Sequence, residues 1–316
     1  MRPISGDSDG LRLFSSGSKF EPSSPPGTHG TPVFPDINFD GENNGEGSPS
    51  VLRNSDPNAV FVVTGASRGI GLQFVKSLFE HTQGNIVACC RSPESASGLL
   101  EFRSRTTDPD RIQMVQLDLE DPKSVERVGN DLQAKFQRID LLLNVAGLLG
   151  DAKNTPGPER SLTKIESTWM EQSFRVNTMG PVLMTQALAP LMVQRRTSKK
   201  VENPRPPSVV VNLSARVGSI SDNSLGGWYT YRMSKAALNQ FTRTVALEMK
   251  RQQVWCISVH PGTTDTDLSK PFQGNVKPGS LFPVEFTVAK LLDVIDHMQE
   301  ENSGGLYDWA GQSLSF

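Results

Sequence analysis

From Asn58 to His260 the chain repeats one pattern: a short, apolar, β-branched-rich run, then a longer segment whose apolar residues recur at helical spacing. The runs are NAVFVVTG, GNIVACCR, RIQMVQLD, IDLLLNVAG, PSVVVNLS and QVWCISVHPG. Continuous apolar runs of this length, without alternation, are buried parallel strands. Between them, sets such as Ile70–Phe74–Leu78 and Val125–Val128–Leu132–Phe136 place their side chains on one helical face. Strand and helix in strict alternation predict an α/β fold, a Rossmann-type doubly wound parallel sheet in a single domain.

The N-terminal part has a different texture. Residues 1–56 are nearly half Ser, Gly and Pro, with no sustained apolar period. They are expected to be a disordered arm, with residues 57–316 forming the domain. The arm has no apolar signal core, and it carries Asp7, Asp9, Glu21, Asp36, Asp40, Glu42 and Glu46, whereas transit peptides are poor in acids. A linker or regulatory role in a cytoplasmic protein is the first expectation, and an organelle address (plastid or mitochondrion) is the alternative. With 36% hydrophobic residues and a net charge of −2, nothing in the composition draws the chain to nucleic acid, and the basic stretch at 194–207 reads as a surface loop. The apolar run IDLLLNVAGLLG is broken by Asp140, Asn144 and Gly147 and is too short to span a bilayer, so no membrane insertion is expected. Cys89, Cys90 and Cys256 are odd in number, two of them adjacent in a strand, which argues against a disulfide framework and for a reducing compartment. The four histidines are scattered, with no HExxH or CxxC companion, and no metal is expected.

Directly after the first strand comes TGASRGIG, with Gly65, Gly69 and Gly71, opening a helix near Ile70. Glycines let a pyrophosphate approach the backbone, and amide groups at a helix start attract it. Placed between a strand and a helix, this run predicts a dinucleotide site. An acid about 20 residues beyond the glycines would bind the ribose hydroxyls of NAD and repel a 2′-phosphate. Arg91 stands there instead, and Arg68 lies inside the glycine loop. Two guanidinium groups suit a phosphate, so NADP(H) is the expected cofactor.

The G-x3-G-x-G spacing, taken with the motifs that follow, resembles the classical short-chain dehydrogenases/reductases over residues 58 to 312. The resemblance implies that Ser67, Arg68 and Ile70 line the cofactor with the three glycines, and that Asp118 and Leu119 of LDLED contact the adenine. Asn144, Ala146 and Gly147 of NVAG flank the cofactor from the end of the fourth strand. Val145 departs from the family's second asparagine there, with little expected effect because the contact is through the backbone. Pro261, Gly262 and Thr266 match the PGxxxT that borders the nicotinamide carboxamide.

The reaction end turns on GGWYTYRMSK, where two tyrosines compete for one lysine. On a helix, residues four apart share a face, which pairs Tyr231 with Lys235 and leaves Tyr229 beside Met233. Tyr231 and Lys235 match the family's Tyr-x-x-x-Lys dyad. A free phenol titrates near pH 10, so bringing it to neutrality asks for roughly 4 kcal/mol of preference for the phenolate. A neighbouring ammonium and an oxidised nicotinamide are expected to supply that field. Asn177 of FRVNTMG matches the asparagine that supports a water path to the lysine. The family serine is missing: NLSARVGS puts Ala215 at its position. Three arrangements stay open: Ser214 reaches the site against strand alternation, Ser219 reaches it from the loop, or the backbone and Tyr231 suffice. Ser214 is placed first.

The stretch from Ser214 to Asn239 is most similar to a carbonyl reductase subgroup that includes the insect Sniffer and bacterial C-factor proteins. The expected activity is therefore hydride transfer between NADP(H) and a small carbonyl or alcohol substrate. Residues 267–283 are read as a lid, with Phe272, Leu281 and Phe282 facing substrate and Trp228 as a further wall or a core residue. The rival class is an NADP(H)-binding sensor with little turnover, which Ala215 favours and the dyad with Asn177 opposes. A third reading makes the acidic arm an interaction segment. The family's paired long helices imply a homodimer or homotetramer.

Overall fold

The computed structural model describes residues 33–39, 47–150, 158–194 and 205–316. The chain runs through the strands β1 (Val60–Thr64), β2 (Asn85–Cys90), β3 (Ile112–Gln116), β4 (Leu141–Asn144), β5 (Ser208–Leu213) and β6 (Val254–His260). A two-strand ribbon follows, β7 (Thr263–Thr264) with β8 (Leu281–Phe282), and then β9 (Leu306–Asp308) and β10 (Ser313–Leu314). The helices are α1 (Pro49–Asn54), α2 (Gly69–His81), α3 (Ser97–Arg105), α4 (Pro122–Lys135), α5 (Ser167–Phe174), α6 (Gly180–Met192), α7 (Tyr229–Glu248) and α8 (Val284–His297). The large sheet has the order β3-β2-β1-β4-β5-β6-β9-β10, parallel except for β10. This is the doubly wound architecture expected from the alternation.

Each strand feeds both layers because successive side chains point to opposite faces. Phe61 and Val63 join Phe74 and Leu78 of α2 and Leu291 of α8 on one face. Val60 and Val62 join Val128 and Leu132 of α4, Leu188 of α6 and Val245 of α7 on the other. That double burial is why the strands read as unbroken apolar runs. Cys89, Cys90 and Cys256 lie within these strands, buried and free. No helix among the described residues is long and apolar enough to cross a membrane.

β1 pairs with β2 on one side and β4 on the other, so the winding reverses between β1 and β4. A crevice opens at the carboxyl ends of the strands at such a reversal, and ligands of doubly wound sheets bind there. At the opposite edge the buried carboxylate of Asp140 accepts the Val60 amide at 2.9 Å and is held by Arg138 and by Arg205 at 3.1 Å. Arg205 is thus no solvated loop charge. It belongs to the stretch read as a surface loop, most of which (195–204) lies outside the described residues.

The expected boundary at residue 57 also needs correction, because two pieces of the presumed arm dock on the domain. Phe34 and Ile37 are buried, Phe34 sits edge-on to Phe316 under the Arg243 guanidinium, and the Ile37 amide donates to Gly311 O at 2.8 Å. Farther along, Ser48 caps α1, and the nearly inaccessible Arg53 pairs with Asp296 of α8 at 2.6 Å. These contacts are individually spaced anchors with no helical or strand period. Residues 1–32 and 40–46 of the expected arm lie outside the described residues. Replacing Phe34→Ala should lower unfolding free energy by about 3 kcal/mol, since it empties an enclosed aromatic site; denaturant titration checks this, and an unchanged midpoint would mean the segment is not docked.

Candidate active site

The glycine loop owes its path to two close approaches. Gly65 has φ +70°, and a Cβ there would lie 2.9 Å from Ala146 Cα; a Cβ on Gly71 would lie 2.2 Å from Gly65 O. Side chains are therefore excluded at both positions, and the loop folds tightly onto the end of β4. Arg68 sits at the N-cap of α2 in extended conformation, and no side chain caps the first turn of that helix. Its amides, together with Gly69, Ile70 and Ser67 beside them, suit an anionic pyrophosphate. Gly69 also has φ +54°, and a Cβ on it would come 3.4 Å from Thr266 Cγ2, which brings the glycine loop against the PGxxxT segment.

Arg68 and Arg91 are both exposed, Arg91 directly after β2. The Arg68 guanidinium stands 3.9 Å from Asp267, which is also bonded by Lys270 at 2.6 Å. Asp118 follows β3 and folds its carboxylate back onto the Glu120 amide at 2.9 Å, while Leu119 is buried against Gly180 at the head of α6. Asn144 is buried at the end of β4, its amide donating to Asn212 at 2.9 Å, and the Val145 and Ala146 amides donate to Thr64 Oγ1 at 3.0 and 3.2 Å. The segment is pinned through its backbone, in keeping with the small effect expected of Val145.

Lys235 enters from α7 and is almost wholly buried, with its Nζ donating to Leu213 O at 2.7 Å. The same Nζ lies 5.7 Å from the centre of the Tyr231 ring, so the two residues share a face as their spacing requires. Tyr229 is not part of this pairing. Gly147 faces Asn177 Oδ1 and the lysine Nζ, where a Cβ would stand 3.4 and 3.8 Å away. Gly218 lets the loop after β5 close over the lysine stem, since a Cβ there would sit 2.8 Å from Lys235 Cβ.

Asn177 has zero exposure, and it lies in a π-helical turn, Arg175–Met179, rather than in a continuous long helix. Single π turns inside α-helices are frequent at functional sites. Its Oδ1 accepts the Leu148 amide at 2.7 Å, and its Nδ2 donates to Leu148 O at 2.8 Å, Ser173 Oγ at 3.1 Å and Ser234 Oγ at 3.2 Å.

The electrostatics of the dyad differ from the expectation. Burial pushes the Tyr231 phenol up rather than toward neutrality, and burial pushes Lys235 down to about 7. The buried pair on its own does not contain the acidified phenol. The serine expectation also requires correction. Ser214 donates its hydroxyl to Asn239 Oδ1 at 2.7 Å, and Asn239 lies two turns, roughly 12 Å, along α7 from Tyr231. Strand alternation has turned Ser214 away from the tyrosine. Ser219 Oγ accepts the Asp222 amide at 3.1 Å and lies 3.2 Å from Ser221 Oγ.

Over the dyad, Trp228 places its ring 6.2 Å from Tyr231 and 5.3 Å from Phe272 of the predicted lid. Phe282 and Leu281 make other contacts. Phe282 packs on Trp309 at 4.7 Å and Phe286 at 5.0 Å and leans on Gly262, and Leu281 pairs with Thr263 in the β7–β8 ribbon. Sequence reasoning missed Glu159, which is buried and accepts both the amide of Thr230, at 3.3 Å, and its hydroxyl. It stands in a polar loop without periodicity, and its partner is 71 residues away. No local signal marks it.

The family described as short chain dehydrogenase matches residues 59–276. Among solved structures, the NADPH-bound carbonyl reductase from chicken fatty liver is 28% identical with a TM-score of 0.67, covering 82% of this chain and 99% of that one. The carbonyl reductase Sniffer of Drosophila melanogaster is 26% identical with a TM-score of 0.69, covering 83% and 100%. C-signal of Myxococcus xanthus is 30% identical over 56% of this chain and 92% of its own length.

The lowered lysine makes stability depend on pH with a definite sign. Below pH 7 Lys235 is protonated in both states and the fold carries its full burial cost. Between about 7 and the ordinary lysine value of 10.5 the unfolded chain binds more protons, so stability rises with pH. The buried thiols of Cys89, Cys90 and Cys256, raised by burial, act with the opposite sign in the same window, so the readout is a difference. Between pH 7 and pH 9.5, without added cofactor, denaturant titration should show a more positive change in stability for the wild type than for Lys235→Met, and equal changes in both proteins would contradict the assignment.

Proposed function

We propose, starting from the fact that this chain belongs to the short-chain dehydrogenase family, that it is an NADP(H)-dependent carbonyl reductase. One observation carries this reading: Tyr231 and Lys235 share a face of α7, the lysine Nζ faces Gly147 just past the carboxyl end of β4, and the glycine loop that packs on Ala146 beside it leads into an uncapped helix start, with Arg68 and Arg91 exposed.

The residues present fit a phosphorylated dinucleotide. The uncapped first turn of α2 and the side-chain-free path of Gly65 and Gly71 would hold the pyrophosphate. Arg68 and Arg91 would hold a 2′-phosphate, which no strand-end acid opposes. Asp118 and Leu119 would border the adenine, Asn144, Ala146 and Gly147 the central crevice, and Pro261, Gly262 and Thr266 the carboxamide. Lys235 would hold the nicotinamide ribose. When bound, the cofactor supplies a hydride to the carbonyl carbon. Tyr231 supplies the proton to the carbonyl oxygen, and the two together give the alcohol. The likeness to the NADPH-bound chicken reductase supports the choice of cofactor and of reaction.

Lys235 steadies the phenolate that Tyr231 becomes, and its bond to Leu213 O keeps the ammonium oriented. Asn177 holds the Leu148 backbone at both its polar groups, and this fixes Gly147 where it faces the lysine. The exposed Met179, Met233 and Leu247 of the helical layer that carries Asn177 and Lys235 support a homodimer or homotetramer built on that layer.

Ala215 and the bond of the Ser214 hydroxyl to Asn239 favour a second reading, an NADP(H) sensor with little turnover. A missing oxyanion donor costs on the order of 10²–10³ in rate. NADPH oxidation with a panel of aldehydes, ketones and quinones separates the two. On the reductase reading, the wild type turns over and Tyr231→Phe loses roughly 10²–10⁴-fold in kcat while still binding NADPH. Tight NADPH binding without turnover in either protein would establish the sensor. Arg91→Ala should raise KM for NADPH more than for NADH, and equal effects on both would remove the 2′-phosphate assignment.

A further inference from the structure

The backbone ahead of α7 is held in an unusual shape. Gly226, Gly227 and Trp228 all have positive φ, +66°, +66° and +55°. Among the described residues only Trp228 and Gln253 adopt such angles without being glycine. A bulky aromatic residue there is strained, and it persists only where its surroundings over-determine it. They do so from two sides. The Trp228 amide donates to Glu159 O, and the buried Glu159 carboxylate accepts the Thr230 amide and hydroxyl two residues on. From within the helix, the Arg232 guanidinium donates to Gly227 O at 3.0 Å, Val217 O at 3.2 Å and Gly226 O at 3.3 Å.

The left-handed turn directs the indole over the reacting tyrosine. Its ring meets Tyr231 at 6.2 Å with planes 69° apart, and Phe272 at 5.3 Å with planes 57° apart. A residue needed only to fill space would not require three consecutive left-handed positions. The side chain is half-buried, so part of the indole surface stays open at the mouth of the dyad. Phe272 reaches it from the segment Lys270–Asn275.

We propose that Trp228 and Phe272 form an aromatic clamp above Tyr231 that selects carbonyl compounds carrying an aromatic ring on the carbonyl carbon, with Glu159 as the positioning residue that holds the clamp. This rests on the carbonyl-reductase reading and specifies its substrate class. Two inclined rings bind a third flat ring through offset and edge contacts that an alkyl group of similar reach lacks. Because the clamp is pre-shaped by hydrogen bonds on both sides, a flat ring binds it without first ordering the loop.

The test compares benzil with biacetyl, α-diketones that differ only in bearing phenyl or methyl groups, through the ratio of their kcat/KM values. The wild type should favour benzil. Trp228→Asn, which tolerates the left-handed backbone, should lower the ratio about tenfold, and Phe272→Leu, which leaves that backbone untouched, should lower it in the same direction. Without cofactor, benzil should quench tryptophan emission of the wild type, and this quenching should be lost in Trp228→Asn. Glu159→Ala should also collapse the ratio, and Glu159→Gln, which retains an acceptor for Thr230, should restore it. Turnover of biacetyl with no preference for benzil, or a ratio unmoved in Trp228→Asn and Phe272→Leu, would overturn the clamp and leave the reductase reading standing. Reduction of no carbonyl by the wild type would remove the reductase reading and the clamp with it.

Discussion

One side chain ties the site together: the carboxamide of Asn177. It takes the Leu148 amide and returns a bond to the Leu148 carbonyl, so the loop after β4 is held at both polar groups of a single residue. Its remaining bonds reach Ser173 in α5 and Ser234 in α7, and Ser234 Oγ donates in turn to Tyr231 O at 2.9 Å. Three elements far apart in sequence are thereby locked around the lysine. A buried carboxamide in such a network has no cheap alternative, because leaving any of its groups unmet costs the desolvation of that group. The π turn at Arg175–Met179 supplies the extra residue that aims this side chain into the site.

Around that lock the fold divides its labour between the two edges of the sheet. At the amino edge Asp140 and the arginines Arg138 and Arg205 tie the strand starts together in a buried ionic cluster. At the carboxyl edge lie an uncapped helix start, two exposed arginines, and a phenol and an amine whose burial opposes their charged forms. The Lys235 bond to Leu213 O and the Trp228 turn are the devices that keep this edge shaped.

The strands and their winding were legible because burial on both faces writes itself as continuous apolar runs, and Tyr231 was separable from Tyr229 because helical spacing admits only one partner for Lys235. The glycine trio was legible from its place between strand and helix. What escaped is non-local or lacks a period. Phe34 and Ile37 sit singly among prolines and aspartates, so nothing in their neighbourhood announces that they dock beside Gly311 and Phe316. Arg205 reads as a loop charge until Asp140, 65 residues earlier, is placed beneath it. Ser214 was placed as a donor on its position in the chain, and its true partner, Asn239, is 25 residues on. The phenol's acidity is expected from the adjacent ammonium together with an oxidised nicotinamide; in the pair on its own, burial raises the phenol and lowers the amine.

The central claim, that this crevice moves a hydride to a carbonyl carbon beside Tyr231, is tested most directly by isotope transfer. The protein would be incubated with benzil and NADPH carrying deuterium at the transferable C4 position, and the product examined by mass spectrometry. Deuterium on the carbinol carbon, from one face of the nicotinamide only, is the result this account predicts. Deuterium retained entirely in the nicotinamide, or an alcohol formed without it, would contradict the account.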